Sequence, residues 1–451
     1  MIRRMMFCVL SGLVFVASAT RAAQVMPPTC QDHSAALMDA LARADFANAG
    51  KNFDSAVGHA LPAEKLRQVW GQLQTQAGAY KSHSAPVLKT IAGRQMVVTQ
   101  VSFAMTPLDA LVACDEDGRI STFRLVPADP APAASAVTGD GARGEQPLAV
   151  TSPLGPLPGT LTLPHGAGPF PTVLLIAGSG PSDRDATIGP NKPLRDLAQG
   201  LAAAGIASLR YDKRTRVYAS QMADAQKAGE PLTVDDEVTD DALAALPLLA
   251  SQPQLDPRRI FALGHSLGAL MAPRLGQRDP GLAGLVMLAA PVALNMDSVI
   301  RQVRYIGQQQ RLSPDELADR LAPLITARAA LARVDAAHPS GPRLYFHAPA
   351  SYWLSLRGYN AVNVAKHLAM PMLILQGGGD YQVTPQDDFA QWQAAFSGNR
   401  RVRLQEYPGL SHLFMPAGAV PGPADYAKPG HVDATVIRDI ADWIKAQPAA
   451  G

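Results

Sequence analysis

From about residue 147 onward, short continuous apolar runs alternate with stretches in which apolar residues recur every three or four positions. "VLLIAG" (173–178) reads as a buried strand, "PLRDLAQGLAAAG" as an amphipathic helix, "ASLRYD" as a strand and "DALAALPLLAS" as a helix. The rhythm continues through strand "RIFALGHS", helix "GALMAPRLG" and strand "LAGLVMLAAP". After an interruption it resumes with strand "PMLILQGG", helix "DDFAQWQAAF", strand "RVRLQEYPG" and helix "TVIRDIADWIKAQ". Strands that are apolar on both faces and separated by helices predict an α/β fold, a mostly parallel sheet covered on both sides. The interruption, about 295–368, carries helical and irregular sequence, including "SPDELADRLAPLITARAALARV" and "APASYWLSLRGYN". An insertion there predicts a helical cap over the carboxyl edge of the sheet, where such folds bind ligands.

Upstream the pattern differs. Leu37, Met38, Leu41, Ala42 and Phe46 recur at helical spacing, as do Leu66, Val69, Trp70 and Leu73 after Pro62. From about residue 86 the sequence turns strand-like, with "QMVVTQVSFAM", "LDALVAC" and "RISTFRLV", the last two separated by the turn signal Asp117-Gly118. Helices followed by a meander predict a small α+β domain over 27–127. Residues 128–146, rich in proline, alanine and glycine, read as a linker, and 147–447 as the α/β domain.

At the front, Arg3 and Arg4 precede an apolar run from Met5 to Val16, and small residues follow in "ASATRAAQ". That is the pattern of a secretory signal peptide over 1–23, with cleavage between Ala19 and Ala23. The run is short for a membrane-spanning helix. Cys8 sits inside it without the small residues of a lipoprotein cleavage site. The expectation is an exported chain, periplasmic or secreted, with no stable membrane insertion after the signal is removed. Removal leaves Cys30 and Cys114, both in the small domain, in a compartment that permits oxidation. A bridge from the first helix to the meander and a pair of buried thiols both remain open. A net charge of +2 gives no reason to expect nucleic acid or an anionic membrane surface as partner.

The chemistry centres on "FALGHSLGAL" (261–270). Ser266 lies between Gly264 and Gly268, at the end of one predicted strand and the start of one predicted helix. So tight a turn strains the serine backbone and needs glycines where strand and helix approach, and it leaves the hydroxyl exposed at a helix N-terminus. Ser266 is the candidate nucleophile, and the Leu267 amide a candidate oxyanion donor. A serine needs a base and the base an orienting carboxylate. "LILQGGGDYQVT" places Asp380 just after a later strand, and "LQEYPGLSHLF" places His412 after the next, giving the order Ser, Asp, His. Asp297 is the competing acid and His431 the competing histidine, while His265 is expected to pack beneath the turn. "AGSGPSDRD" (177–185) follows a strand and offers the Ser179 amide as second oxyanion donor. It has neither the lysine of a phosphate loop nor G-x-G-x-x-G spacing. The charged residues Asp183, Arg184, Asp185 and Asn191, and the Asp212–Arg214 stretch of "YDKRT", read as loop scaffolding. The ten histidines show no paired ligand spacing, so no metal is expected.

"GHSLGA", "GGGDYQVT" and "GLSHLF" in that order resemble the α/β-hydrolase superfamily. The stretch 177–215 and "APASYWLSLRGYN" are similar to a bacterial esterase or serine aminopeptidase-like branch. Residues 27–127 resemble the small cystatin-like or nuclear-transport-factor-like domain found in front of such enzymes. The first glycine loop departs from many members in having Ala177 where they carry histidine, which matters little when the donors are backbone amides. The resemblance implies a cofactor-independent hydrolase acting on a small-molecule ester, thioester or short peptide through Ser266, Asp380 and His412. Peptide cleavage would call on acidic cap residues such as Asp297, Asp315, Glu316, Asp319 and Asp335. A non-catalytic binding protein with a vestigial triad is the remaining alternative. The N-terminal domain is itself a candidate module for an envelope ligand or partner.

Overall fold

The computed structural model describes residues 27, 29–77, 79–91, 94–103, 107–127, 144–335 and 348–449. The expected signal peptide, the expected linker as far as residue 143, and residues 336–347 of the expected cap lie outside the described residues. The chain divides into two compact units, residues 1–132 and 133–451.

In the first unit, helices including Thr29–Ala42 and Ala63–Ala77 precede a five-stranded antiparallel sheet. Leu37, Met38 and Leu41 of the first helix and Trp70 and Leu73 of the second bury against Val97, Val101, Val112 and Ile120 of the sheet. The three expected strands are present, joined by Tyr80–His83 and Val87–Ile91. Those two lie in the polar, proline-containing stretch "YKSHSAPVLKTI", which hides strand periodicity. Cys30 and Cys114 form a disulfide that ties the first helix to the strand Pro107–Cys114.

Among the described residues of the second unit the main sheet has eight strands. In chain order they are β1 (Glu145–Pro147), β2 (Gly159–Thr162), β3 (Phe170–Ile176), β4 (Ala207–Tyr211), β5 (Leu255–His265), β6 (Gly284–Leu288), β7 (Met372–Gly377) and β8 (Val402–Tyr407). Their spatial order is β1-β2-β4-β3-β5-β6-β7-β8. The pairs β1/β2 and β2/β4 are antiparallel and all the others parallel. This is the α/β architecture the alternation predicts. Sheet structure begins at Glu145, inside the last residues of the expected linker, because β1 pairs with the later β2, a partner no local pattern reveals.

Residues alternate across the sheet into two cores, which explains the continuous apolar strands. Leu174, Leu209, Ala262, Met287 and Ile374 face one side. They pack with helices α2 (Asp240–Ala250) and α3 (Leu267–Arg278). Val173, Leu175, Leu263, Val286 and Leu373 face the other. They pack with α1 (Pro193–Ala203) and the terminal helix Ala434–Ala446. Between β6 and β7 the chain runs through α4 (Met296–Gln309), α5 (Pro314–Arg333) and α6 (Ala350–Ser355). Asn295 caps α4, and Ser313 with Glu316 caps α5.

Candidate active site

The carboxyl ends of β3, β5, β7 and β8 supply the residues that the sequence singles out. Ser266 joins β5 to α3 with φ 55° and ψ −116°, a left-handed conformation that a non-glycine residue occupies only under strain. The surroundings impose it. Its N–H donates to the Leu288 carbonyl of β6 at 2.9 Å, and its own carbonyl accepts from Leu270 at 2.8 Å, so the residue must turn within one step from sheet to helix. Both flanking glycines are required by contact. A Cβ on Gly264 would lie 2.2 Å from the Gly268 carbonyl oxygen, and one on Gly268 would lie 2.4 Å from that of Ile176. The start of α3 therefore rests on the end of β3.

Asp380 follows β7 after Gly378 and Gly379 and is buried. Its Oδ1 accepts from the Gln382 and Val383 amides at 2.8 and 3.0 Å, which leaves Oδ2 to accept from His412 Nδ1 at 2.6 Å. His412, also buried, sits on the loop after β8. A carboxylate held by two backbone donors and aimed at Nδ1 fixes the imidazole tautomer with Nε2 unprotonated. The loop is fastened to the serine turn through His265, whose Nε2 donates to the His412 carbonyl at 2.8 Å. The two rings stand 4.7 Å apart between centroids. Burial, and then the nearby His412, push the His265 imidazole down to about 3. It is a neutral spacer beneath the turn, the place the sequence gives it.

The rival residues pair with other partners. Asp297 is exposed in the first turn of α4 and pairs with Arg328 at 2.5 Å. His431 has an 83% exposed side chain and pairs with Asp196 at 3.1 Å. On the loop after β3, Ser179 is exposed and Gly178 packs against the turn, its Cβ position 3.2 Å from Ser266 Cβ. Leu267 occupies the first position of α3, where an N–H has no partner within the helix. The Ser179 and Leu267 amides therefore belong to two segments in direct contact.

Arg184, Asp185 and Asn191 of this loop are held by partners outside residues 183–191. Arg184 forms a two-pronged pair with Asp212 at 3.0 and 2.8 Å. Asp185 takes Arg210 at 2.9 Å and Lys192 at 3.2 Å. Asn191 donates to the Tyr426 and Lys428 carbonyls, each at 3.0 Å. Arg214 donates to Asp241 at 2.9 and 2.5 Å. Sequence reasoning passed over Lys213 and Glu237, a buried ion pair at 2.5 Å beside the loop after β3. The one available signal was a lysine two positions past the end of β4.

The serine aminopeptidase family, S33, matches residues 192–416, and a family described as a protein of unknown function matches 34–123. The chain is 32% identical over 403 residues to esterase EstD of Thermotoga maritima, a match spanning 87% of this chain and 92% of that protein. It belongs to the α/β-hydrolase superfamily, in the esterase and serine aminopeptidase-like branch that carries a small N-terminal domain. Among solved structures, an esterase of Pyrococcus furiosus is 16% identical with a TM-score of 0.43, covering 70% of this chain and 97% of that one. Est1E of Butyrivibrio proteoclasticus is 14% identical with a TM-score of 0.42, covering 67% and 99%.

Proposed function

We propose that this chain is a serine hydrolase that cleaves carboxylic esters or thioesters through an acyl-enzyme on Ser266. The observation that carries the reading is the strained Ser266 turn, fastened through His265 to a loop whose His412 is held by buried Asp380. In this reading Ser266 Oγ attacks the ester carbonyl while His412 Nε2 takes its proton. Asp380 stabilises the imidazolium that forms and keeps the ring in register. The Ser179 and Leu267 amides receive the oxyanion of the tetrahedral intermediate. Collapse expels the alcohol, which takes the proton from His412. A water then repeats the sequence on the acyl-enzyme and releases the acid and free Ser266. The named activity of the 32% identical relative supports an ester as substrate.

Among the described residues no helix is long and apolar enough to cross a membrane. The basic, apolar and small-residue order of residues 1–23 supports export to the periplasm or the medium. The small domain of residues 27–127, the linker and the cap over 295–368 complete the proposed organisation, with the small domain as a module for an envelope ligand. A panel of p-nitrophenyl esters beside aminoacyl p-nitroanilides tests the substrate class. Ester turnover exceeding anilide turnover is expected, and the reverse order would move the enzyme to the peptidases, the second reading that its family match keeps open.

A further inference from the structure

The loop after β3 is held from below by three side chains that the reaction itself does not use. Lys213 Nζ donates to the Gly178 carbonyl at 2.7 Å and to Glu237 Oε1 at 2.5 Å. That same Oε1 accepts from the Gly180 N–H at 2.9 Å. Glu237 Oε2 accepts from the Tyr352 hydroxyl at 2.7 Å. All three are buried, with Lys213 4% and Glu237 8% exposed. They come from distant parts of the chain: Lys213 follows β4, Glu237 precedes α2, and Tyr352 lies on α6 in the insertion between β6 and β7. Burial, and then the Glu237 charge, raise the Tyr352 hydroxyl well above its ordinary range, so it stays a donor.

The Gly178 carbonyl and the Ser179 N–H belong to one peptide group. In a planar trans peptide the two point in opposite directions, so whatever holds the oxygen aims the N–H. Glu237 fixes the next N–H along the chain, that of Gly180, so the peptides on both sides of Ser179 are anchored. A cation on the Gly178 oxygen also polarises that peptide and strengthens its N–H as a donor. Glu237 alone would place a buried negative charge near a developing oxyanion. Lys213 neutralises it while doing the aiming.

We propose that the Lys213–Glu237 pair, completed by Tyr352, is the positioning device of the oxyanion hole, acting through the Gly178–Ser179 peptide. This inference rests on the reading of Ser266 as nucleophile and the Ser179 amide as oxyanion donor. Lys213, Glu237 and Tyr352 touch no substrate in it. A buried ion pair kept only for folding would instead be replaceable by neutral residues without loss of turnover.

The test compares the wild type with Lys213→Met and with the charge-neutral double variant Lys213→Met/Glu237→Gln. The double variant keeps an acceptor for the Gly180 N–H and strands no buried charge, so it serves should Lys213→Met alone fail to fold. Folding is followed by thermal melting, ester hydrolysis by kcat and KM, and oxyanion binding by the Ki of a trifluoromethyl ketone that adds to the serine. Removing an oxyanion donor outright costs about 100- to 1000-fold in kcat, so misaiming one is expected to cost about 10- to 100-fold. KM should move by less than about threefold, and Ki should rise in proportion to the loss in kcat/KM. A folded double variant that keeps kcat within about twofold overturns the proposal, as does a loss confined to KM. If a fluorophosphonate fails to label Ser266 in the wild type, the nucleophile reading itself fails. If it labels Ser266 while the variants turn over normally, the positioning role alone falls.

Discussion

Gly264→Ala separates close contact from backbone freedom as the reason for the glycines around Ser266. Neither Gly264 nor Gly268 has a positive φ, so conformational freedom does not demand them. Contact does. The new Cβ would lie 2.2 Å from the Gly268 carbonyl oxygen, 2.3 Å from its carbon and 2.5 Å from the Ala269 nitrogen. A carbon–oxygen contact needs about 3.3 Å, so α3 must withdraw from β5 by about 1 Å. The obstructing atoms are backbone, and no side chain can rotate out of the way. Overpacking a close-packed interior costs about 1–3 kcal/mol, and this site belongs at the upper end, a fall of about 6 °C or more in Tm. The same displacement carries Ser266 and the Leu267 amide with it. A misplacement of about 1 Å at reacting groups costs about 100-fold in rate. The assay is kcat/KM on one p-nitrophenyl ester with a melting curve of each protein. Gly409→Ala, on the loop before His412, is the control, since a Cβ there meets nothing within 4 Å. An unchanged Tm with activity within about threefold of the wild type would refute the contact argument.

Three further outcomes are expected. His412→Ala abolishes ester turnover with folding intact, whereas His431→Ala, removing an exposed ring that pairs with Asp196, costs less than about tenfold, or about 1.4 kcal/mol of barrier. The opposite pattern in kcat/KM would reassign the base. Replacing Cys30 and Cys114 by alanine opens a bridge spanning 84 residues and lowers the stability of the small unit by about 2–4 kcal/mol. Melting checks the loss, and alkylation of both thiols in the wild type without reductant would reject the bridge. His265 supplies a pH dependence. The folded state keeps its imidazole neutral down to about pH 3, while the unfolded chain takes up the proton near its ordinary 6.5. Its contribution is complete above that value and falls as pH drops through the interval, by at most about 1.4 kcal/mol per unit. His265→Gln, which keeps a donor for the His412 carbonyl, should flatten the fall in Tm between pH 6 and 4. Parallel curves for the two proteins would contradict this.

What the sequence disclosed followed from local chemistry. A doubly buried strand such as Leu174–Ile176 must be apolar throughout, and a strand that turns into a helix within one residue must carry glycines at Gly264 and Gly268. Both demands are written into consecutive positions. Asp380 and His412 were legible as candidates because each stands on the loop that leaves a strand, and their order along the chain matches the strand order. Lys213 and Glu237 were not readable. Their meeting depends on β4 lying beside β3 and on the turn before α2 folding under the loop, and the two stand 24 positions apart with no periodic signal between them. The same applies to β1, a three-residue strand identified only by its partner β2, and to Arg184, whose carboxylate is 28 residues away at Asp212. Pairings made across the sheet are properties of the assembled fold.

In the proposed reaction the Ser266 hydroxyl oxygen is the nucleophile that becomes acylated. A fluorophosphonate probe tests it directly, because its phosphorus accepts the serine oxygen, fluoride leaves, and the adduct survives digestion. A single adduct is expected on the peptide containing Ser266 in the wild type, none in Ser266→Ala, and a fall in esterase turnover of about 10⁴-fold or more in that variant. Equal labelling of both proteins, or an adduct on another serine with Ser266→Ala still active, would contradict it.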